Sequence, residues 1–188
     1  MVLTPSNTDT LSTGEPAPDF TLKGIDGKEH SLSELKGRKA VLVIFMCNHC
    51  PYVIPKMDYF VKLQEKYGSQ GLQVIGINSN DPTNYPDDSF ENMIEIAKQH
   101  NFNFHYLFDE TQEVAKAYGA TCTPDPFLFD KDLKLVFHGR FDDAHGKFHE
   151  DGRTSEMEDA IKQVIAGDIV DVPQEPSLGC SIKWKIRE

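Results

Sequence analysis

Residues 40–55 read AVLVIFMCNHCPYVIP, and this stretch decides the fold. The run over residues 40–45 is apolar without interruption, which predicts a strand buried on both faces. Apolar residues then recur at helical spacing over 53–67, which predicts a helix. Cys47 and Cys50 are therefore expected at the point where a buried strand gives way to a helix.

Two cysteines at such a junction indicate a redox site. The unpaired N–H groups and the positive end of the dipole at a helix N-terminus stabilise a thiolate. We expect Cys47 to lie at this N-terminus, to be the more exposed cysteine, and to have a pKa lowered from about 8.5 into roughly the 3.5–7.5 range. Cys50, one helical turn along, is the candidate resolving thiol. The alternative is a pair of buried cysteines without chemistry.

Composition narrows the classes of partner and compartment. The 188 residues carry 30 acidic and 19 basic side chains, a formal charge of −11, which argues against nucleic acid or an anionic membrane as partner. The N-terminal residues have neither a basic start nor an apolar core of the signal-peptide kind, so we expect a cytoplasmic protein. Structural disulfides are rare there, so the four cysteines indicate chemistry, metal binding or plain burial.

The rest of the chain alternates strand and helix patterns. A short hairpin is predicted over 19–32, a second buried strand over 72–77 and an antiparallel pair over 127–137. Capping boxes are predicted where Ser31 precedes Glu34 and where Ser155 precedes Glu158. This order predicts an α/β protein with a central mixed sheet covered by helices on both faces.

Three segments are predicted. Residues 1–15 are expected to be a flexible N-terminus, residues 16–167 one domain, and residues 168–188 a tail. The tail contains Ile182 and Trp184, which we expect to be covered, so the tail is predicted to pack on the domain.

Four motifs carry a resemblance over roughly residues 15–186. They are CNHCPYV (47–53), INSND (77–81), DETQEVAKAY (109–118) and GCSIKW (179–184). With them the chain resembles the thioredoxin-like redoxin family, within the peroxiredoxin-related alkyl hydroperoxide reductase and thiol-specific antioxidant superfamily. The resemblance implies a thioredoxin fold with an N-terminal β-hairpin extension and an extended C-terminal tail.

The resemblance also implies roles for individual residues. Cys47 would be the nucleophile and Cys50 the resolving thiol. Thr123-Pro124 stands where thioredoxins carry a cis-proline facing the dithiol, so the backbone of Thr123 would pair with the extended chain of a partner. The imidazolium of His49 would stabilise a neighbouring thiolate and make the disulfide a stronger oxidant, unless His49 is a solvated loop histidine.

Auxiliary residues are expected at the carboxyl end of the strand at 72–77. Asn78, Asn80 and Asp81 lie there, where open α/β sheets place their sites. Asp81 is a candidate proton relay for Cys50, with turn and capping duty as the alternative.

Two further cysteines have two interpretations each. Cys122 lies close to Pro124 and is best interpreted as an inert buried thiol. Cys180 in the tail either accepts the disulfide from Cys47 or Cys50 or takes no part in the chemistry.

Three functions follow. The first is a thiol–disulfide oxidoreductase that acts on protein or small-molecule disulfides, with an unidentified thiol reductant and no cofactor beyond its redox-active cysteines. The second is a thiol-dependent peroxidase with Cys47 as the peroxidatic cysteine. Against it, Ala40 and Ile44 stand where peroxiredoxins carry proline and a hydroxyl residue, and the Ile44 side chain cannot hydrogen-bond to a peroxide. Arg140 is a conceivable substitute cation.

The third function is metal binding. Cys47 and Cys50 have the spacing of half a zinc site, and His145 and His149 have the spacing of the other half. The two halves lie far apart in the chain, against about a dozen residues in a zinc finger, which disfavours this interpretation.

Overall fold

The computed structural model describes residues 3–186, which form ten β-strands and four α-helices. The strands in chain order are β1 (Leu3–Pro5), β2 (Thr21–Gly24), β3 (Glu29–Ser31), β4 (Ala40–Phe45), β5 (Leu72–Asn78), β6 (His105–Phe108), β7 (Cys122–Thr123), β8 (Asp125–Asp130), β9 (Leu135–His138) and β10 (Leu178–Ser181). The helices are α1 (Met57–Tyr67), α2 (Phe90–Gln99), α3 (Glu113–Tyr118) and α4 (Glu156–Ala166). Within this part of the chain, no helix has the length and apolar character needed to cross a membrane.

The larger sheet has seven strands in the order β3-β2-β6-β5-β4-β8-β9. Strand β5 runs parallel to both β4 and β6, and the other neighbours in this sheet are antiparallel. The predicted hairpins are confirmed as β2–β3 and β8–β9. This mixed sheet confirms the predicted thioredoxin fold.

Strand β4 lies inside the sheet, between β5 and β8, and every residue in it is fully buried. Leu42 and Ile44 face a core that includes residues of α1, α2 and α4, whereas Val43 and Phe45 face a second core that includes residues of α3. An apolar run without alternation is what a strand with two covered faces requires. The helices therefore flank the sheet on both sides, as predicted.

A smaller sheet, which no sequence pattern predicted, joins the two end regions of the chain. Its order is β1-β10-β7, with both pairs antiparallel. Residues 3–15 differ from the flexible segment predicted for 1–15, because β1 pairs with the tail strand and Leu11 is buried. The tail packs on the domain through buried Ile182, whereas Trp184 is 40% exposed.

Helix α1 begins later than predicted. Regular α-helix starts at Met57, after a single 3₁₀ turn over Ile54–Lys56. Pro51 and Pro55 carry no N–H group to donate to the preceding turn, so the segment before Met57 cannot form a full helical hydrogen-bond ladder. Cys47 consequently lies in a loop and not on the first turn of a helix.

Two of the predicted helix caps are wrong. The side chains of Ser31 and Ser155 make no capping hydrogen bond to the helices that follow them. The hydroxyl of Ser155 instead lies 3.4 Å from Nε2 of His149. Ser89 does cap its helix, because its hydroxyl accepts the N–H of Asn92.

Candidate redox site

The loop after β4 presents the two cysteines. The N–H groups of Val53 and Ile54 both donate to the carbonyl of Cys50, so the chain begins to coil directly after the second cysteine. The side chains are closed off from solvent, with Cys47 1% and Cys50 0% exposed. Both thiols are buried to nearly the same degree, so the exposure expected for Cys47 is not seen in this structure.

The peptide bond between Thr123 and Pro124 is cis, which confirms the predicted conformation. Thr123 contacts both sulfurs: its Oγ1 lies 3.4 Å from Sγ of Cys47, and its carbonyl oxygen lies 3.2 Å from Sγ of Cys50. The loop of the dithiol and the cis-proline loop, which are distant in sequence, therefore form one site.

The edge beside the cis-proline is occupied by the chain itself. Strand β10 runs antiparallel to β7 and places Cys180 opposite Thr123. The Sγ atoms of Cys180 and Cys50 lie 2.6 Å apart. The backbone of Thr123, expected to pair with a partner, pairs here with the protein's own tail, and this pairing buries the dithiol.

The lowered pKa was expected for Cys47, but in the structure Cys50 has the lower pKa of the two. A hydrogen bond with Cys50, burial and the nearby carboxylate of Asp88 hold the pKa of Cys47 well above its usual range. Hydrogen bonds from Cys47 and Cys180 lower the pKa of Cys50 to about 5, against the opposing effect of burial. The pair therefore carries its negative charge on Cys50, because that sulfur receives hydrogen bonds from both neighbouring thiols.

We expect the reduced protein to hold a thiolate at neutral pH that titrates near pH 5. Because the pKa is lowered on folding, the thiolate's contribution to the free energy of unfolding is fully present above the ordinary thiol pKa, about 8.5. That contribution is lost as the pH falls to about 5. Ultraviolet absorbance of the thiolate measures the titration. Cys50→Ser should remove the low-pH transition and Cys122→Ser should keep it, whereas a first transition above about pH 8 would contradict the assignment.

A buried carboxylate to which no sequence pattern assigned a role at the site lies beside the thiols. Asp88 is fully buried, and its Oδ1 accepts the backbone N–H of Asn48 at 2.7 Å. Its Oδ2 accepts Nδ2 of Asn80 at 2.7 Å. No spacing in the sequence marks Asp88, because the contacts that bring it to the site come from two other loops.

His49 faces this carboxylate. Its Nδ1 lies 2.7 Å from Oδ2 of Asp88, as a close ion-pair contact that lacks the alignment of a hydrogen bond. The ring also stacks on Tyr85, with 6.0 Å between ring centroids. His49 is therefore held by neighbours and is not a solvated loop histidine, and a positive charge on it would offset the charge of Asp88 next to Cys47.

The three polar residues after β5 have structural partners. Asn78 donates to the backbone carbonyl of Asp88 at 3.1 Å, and Asn80 joins Asp88 to the tail by accepting the N–H of Lys183 at 2.8 Å. Asp81 accepts hydrogen bonds from Thr83 and Asn84 in its own turn. Burial raises the pKa of Asp81, but these hydrogen bonds outweigh it and the net shift is downward. Its carboxylate serves the turn, and no contact with Cys50 supports a proton relay.

The remaining cysteines differ from each other. Cys122 is buried, its thiol lies 3.7 Å from the carbonyl of Pro124, and burial raises its pKa, which agrees with an inert thiol. Cys180 is buried against Cys50, and burial together with that contact raises its pKa to about 12.

The side chains that could bind a metal and that lie close together are not the four considered as a zinc site. Among residues 3–186, the donor atoms of Cys47, His49 and Asp88 lie within 4.8 Å of one another and form the only such group of three or more. His149 stacks on Tyr59 and contacts Asp142 instead. The combination of two cysteines and two histidines, which the sequence already disfavoured as a zinc site, does not form such a group.

Arg140, the conceivable cation for a peroxide, has a different partner. Its Nε and Nη2 donate to Oε1 of Glu156 at 2.8 and 2.6 Å. The guanidinium is thus committed to an ion pair with α4.

The sequence profile of the Redoxin family matches residues 12–160. The chain belongs to the Redoxin family. Thiol-disulfide oxidoreductase ResA of Geobacillus thermodenitrificans is 30% identical to this redoxin over 125 residues, which are 66% of this chain and 67% of that protein.

Two solved structures are similar over almost their whole length. A conserved protein from Geobacillus kaustophilus is 41% identical, with a TM-score of 0.91 over 100% of this chain and 99% of that chain. A hypothetical protein from Sinorhizobium meliloti is 40% identical, with a TM-score of 0.92 over 98% of this redoxin and 100% of that chain. The similarity thus includes the region of the tail as well as the domain.

Proposed function

We propose that this redoxin is a thiol–disulfide oxidoreductase that uses Cys47 and Cys50 in a dithiol–disulfide cycle. The observation that carries the proposal is the contact of both sulfurs with Thr123 at the cis-proline. Family membership and the similarity to a relative named as a thiol-disulfide oxidoreductase support it.

The steps of disulfide reduction follow from the fact that Cys47 and Cys50 share one proton in the reduced protein. Cys47 transfers its proton to the Cys50 thiolate and attacks one sulfur of the substrate disulfide, and the other substrate sulfur leaves as a thiolate. Cys50 then attacks Sγ of Cys47, and its proton passes to the second substrate thiolate. The substrate gains two electrons and the protein ends as a Cys47–Cys50 disulfide, which an external thiol reductant restores.

The proposed substrates are extended segments that contain a disulfide. The backbone of Thr123 is the pairing partner beside the sulfurs, and β10 already uses it. A substrate chain therefore reaches the dithiol only when the tail strand moves aside. We include no cofactor in the proposed cycle, since the two thiols supply both electrons. A cytoplasmic location remains a prediction that cell fractionation tests.

The test is turnover of a protein disulfide. Reduction of insulin by dithiothreitol is followed with and without the protein, and a second series uses glutathione as reductant. We expect acceleration over the uncatalysed reaction in at least one series. No acceleration of either reaction, by protein with titratable thiols, would overturn the proposal.

A peroxidase is the second candidate, and one contact favours it. The hydroxyl of Thr123, 3.4 Å from Sγ of Cys47, stands near the sulfur although position 44 lacks a hydroxyl. However, Ile44 is fully buried in the core on the cysteine side of β4, and the thiol it would serve has a raised pKa.

We therefore expect the reduced protein to react with hydrogen peroxide at a rate close to that of an ordinary thiol, and more slowly than with a disulfide. Stopped-flow mixing with each oxidant measures both rates. Ile44→Thr should raise the peroxide rate if a hydroxyl is what is missing, and Ile44→Val is the control for lost volume. A wild-type peroxide rate that exceeds the disulfide rate would reverse this ranking.

A further inference from the structure

Strand β10 lies on the cis-proline loop as an extended substrate chain would. It pairs antiparallel with β7, and its cysteine stands opposite Thr123. Both Cys50 and Cys180 are buried, and their sulfur atoms lie 2.6 Å apart. A third thiol is thus held against the dithiol inside a site that solvent does not reach.

The close approach of β10 to the cis peptide depends on the residue at position 179. A Cβ atom at Gly179 would overlap the carbonyl oxygen of Thr123, so only glycine allows β10 to lie this close to the cis peptide. Direct hydrogen bonds hold the strand on both sides of Cys180. Ser177 donates its hydroxyl to the carbonyl of Pro124 at 2.6 Å, and Ile182 donates its N–H to Thr121 at 3.0 Å.

The attachment continues beyond the strand. The N–H of Lys183 donates to Oδ1 of Asn80, whose Nδ2 in turn donates to the carboxylate of Asp88 beside Cys47. The carbonyl of Lys183 accepts the N–H of Asp81 and Nε2 of Gln112. The tail is therefore hydrogen-bonded to the loops around the dithiol, and contacts before and after Cys180 in the sequence hold its position.

We propose that Cys180 is a third redox cysteine, which accepts the disulfide of the oxidised protein by forming a Cys50–Cys180 bond. This inference rests on the proposed function, because that cycle produces the Cys47–Cys50 disulfide from which the exchange starts. It assigns a chemical role to the tail. The sequence left open whether Cys180 accepts the disulfide from Cys47 or from Cys50, and the contact selects Cys50.

The exchange is balanced without another reactant. The sulfur of Cys180 loses its proton and attacks Sγ of Cys50, the Cys47–Cys50 bond breaks, and Cys47 leaves with the electron pair and takes up a proton. One disulfide is replaced by another, so nothing is oxidised or reduced overall. The reacting sulfurs are already in contact, which gives the intramolecular step the advantage of proximity.

The exchange has a consequence for the cycle. It returns Cys47 to the thiol form while the protein remains oxidised by two electrons. The tail is then bonded covalently over the cis-proline edge, so this oxidised form excludes a substrate chain until a thiol reductant opens the Cys50–Cys180 bond.

Disulfide mapping of the full chain tests the proposal. The protein is equilibrated in buffers of reduced and oxidised glutathione, quenched with acid, alkylated, unfolded and digested with trypsin without reduction. Cleavage after Lys39 and Lys56 leaves Cys47 and Cys50 in one peptide, and Cys180 lies in another. Wild-type protein should yield these two peptides linked by a disulfide.

Single variants identify the bonded cysteine. Cys47→Ser should form the link and Cys50→Ser should form at least about tenfold less, since proximity favours the sulfur in contact. Cys122→Ser, which changes another buried thiol next to the same loop, should form the link like wild type. Cys180→Ser must abolish it.

The outcomes separate this inference from the proposed function. Insulin turnover by wild type, together with no linked peptide in wild type or Cys47→Ser, would overturn the role of Cys180 and leave the oxidoreductase intact. A linked peptide without turnover of any disulfide would support the Cys50–Cys180 bond and overturn the catalytic cycle. Because the main readout is on wild-type protein, a variant that fails to fold does not prevent a decision.

Discussion

Replacing Cys47 with serine should abolish turnover of a protein disulfide. The expected loss is on the order of a thousandfold or more, because the nucleophilic thiol and its partner thiol act together in the reaction. Serine is only slightly smaller than cysteine and still presents a polar group toward Thr123, so the loss reports chemistry and not packing. Cys50→Ser should also stop turnover, but with a different signature. Without a resolving thiol, substrate remains bound to Cys47 as a mixed disulfide.

Insulin reduction measures turnover, and intact-mass analysis under non-reducing conditions measures trapped adducts. Cys122→Ser is the matched control, because it removes a buried thiol close to Pro124 that has no role in the proposed cycle. Full turnover by Cys50→Ala without adducts would assign the resolving step to another thiol, with Cys180 the first to test. Adducts on Cys50 in the Cys47→Ser protein would instead exchange the roles of the pair.

Replacing Gly179 with alanine should open the site. The added methyl group overlaps the carbonyl of Thr123, and backbone atoms there cannot give way as a flexible side chain does. Overpacking of this kind costs about 1–3 kcal/mol, which favours the displaced tail by roughly fivefold to 150-fold. We therefore expect alkylation of the buried thiols by iodoacetamide to accelerate by about that factor.

Gly68→Ala is the control for this variant. A Cβ at Gly68 meets only the far end of the Gln64 side chain, which can move, and its φ of −58° suits alanine. Its labelling rate should equal that of wild type. Equal labelling of Gly179→Ala and wild type would show that the tail does not control access to the dithiol. Circular dichroism checks that both variants retain the domain.

Much of the domain was predictable because its signals are local. Apolar runs over 40–45 and 72–77 identify the two central parallel strands, since both of their faces must be covered wherever the sheet forms. The cysteine pair and the Thr123-Pro124 dipeptide are short motifs, and the resemblance to redoxins was sufficient to expect them to face each other.

The smaller sheet had no such signal. Strands β1, β7 and β10 are four residues or shorter and carry no clear alternation, and they come from the two ends and the middle of the chain. Asp88 was missed for a related reason. Its place next to the dithiol depends on contacts with Asn48 and Asn80, which neighbouring residues in the sequence do not reveal.

By itself, the sequence determined the α/β class, the central strands and which two cysteines form the dithiol, because strand burial and local motifs depend on neighbouring residues. Only the tertiary structure decided which sulfur holds the charge, what covers the pair and where Cys180 lies. Thiol pKa values depend on hydrogen bonds and burial, which here come from residues more than seventy positions away, such as Thr123 and Cys180. Those contacts exist only after the ends of the chain have met at the cis-proline loop.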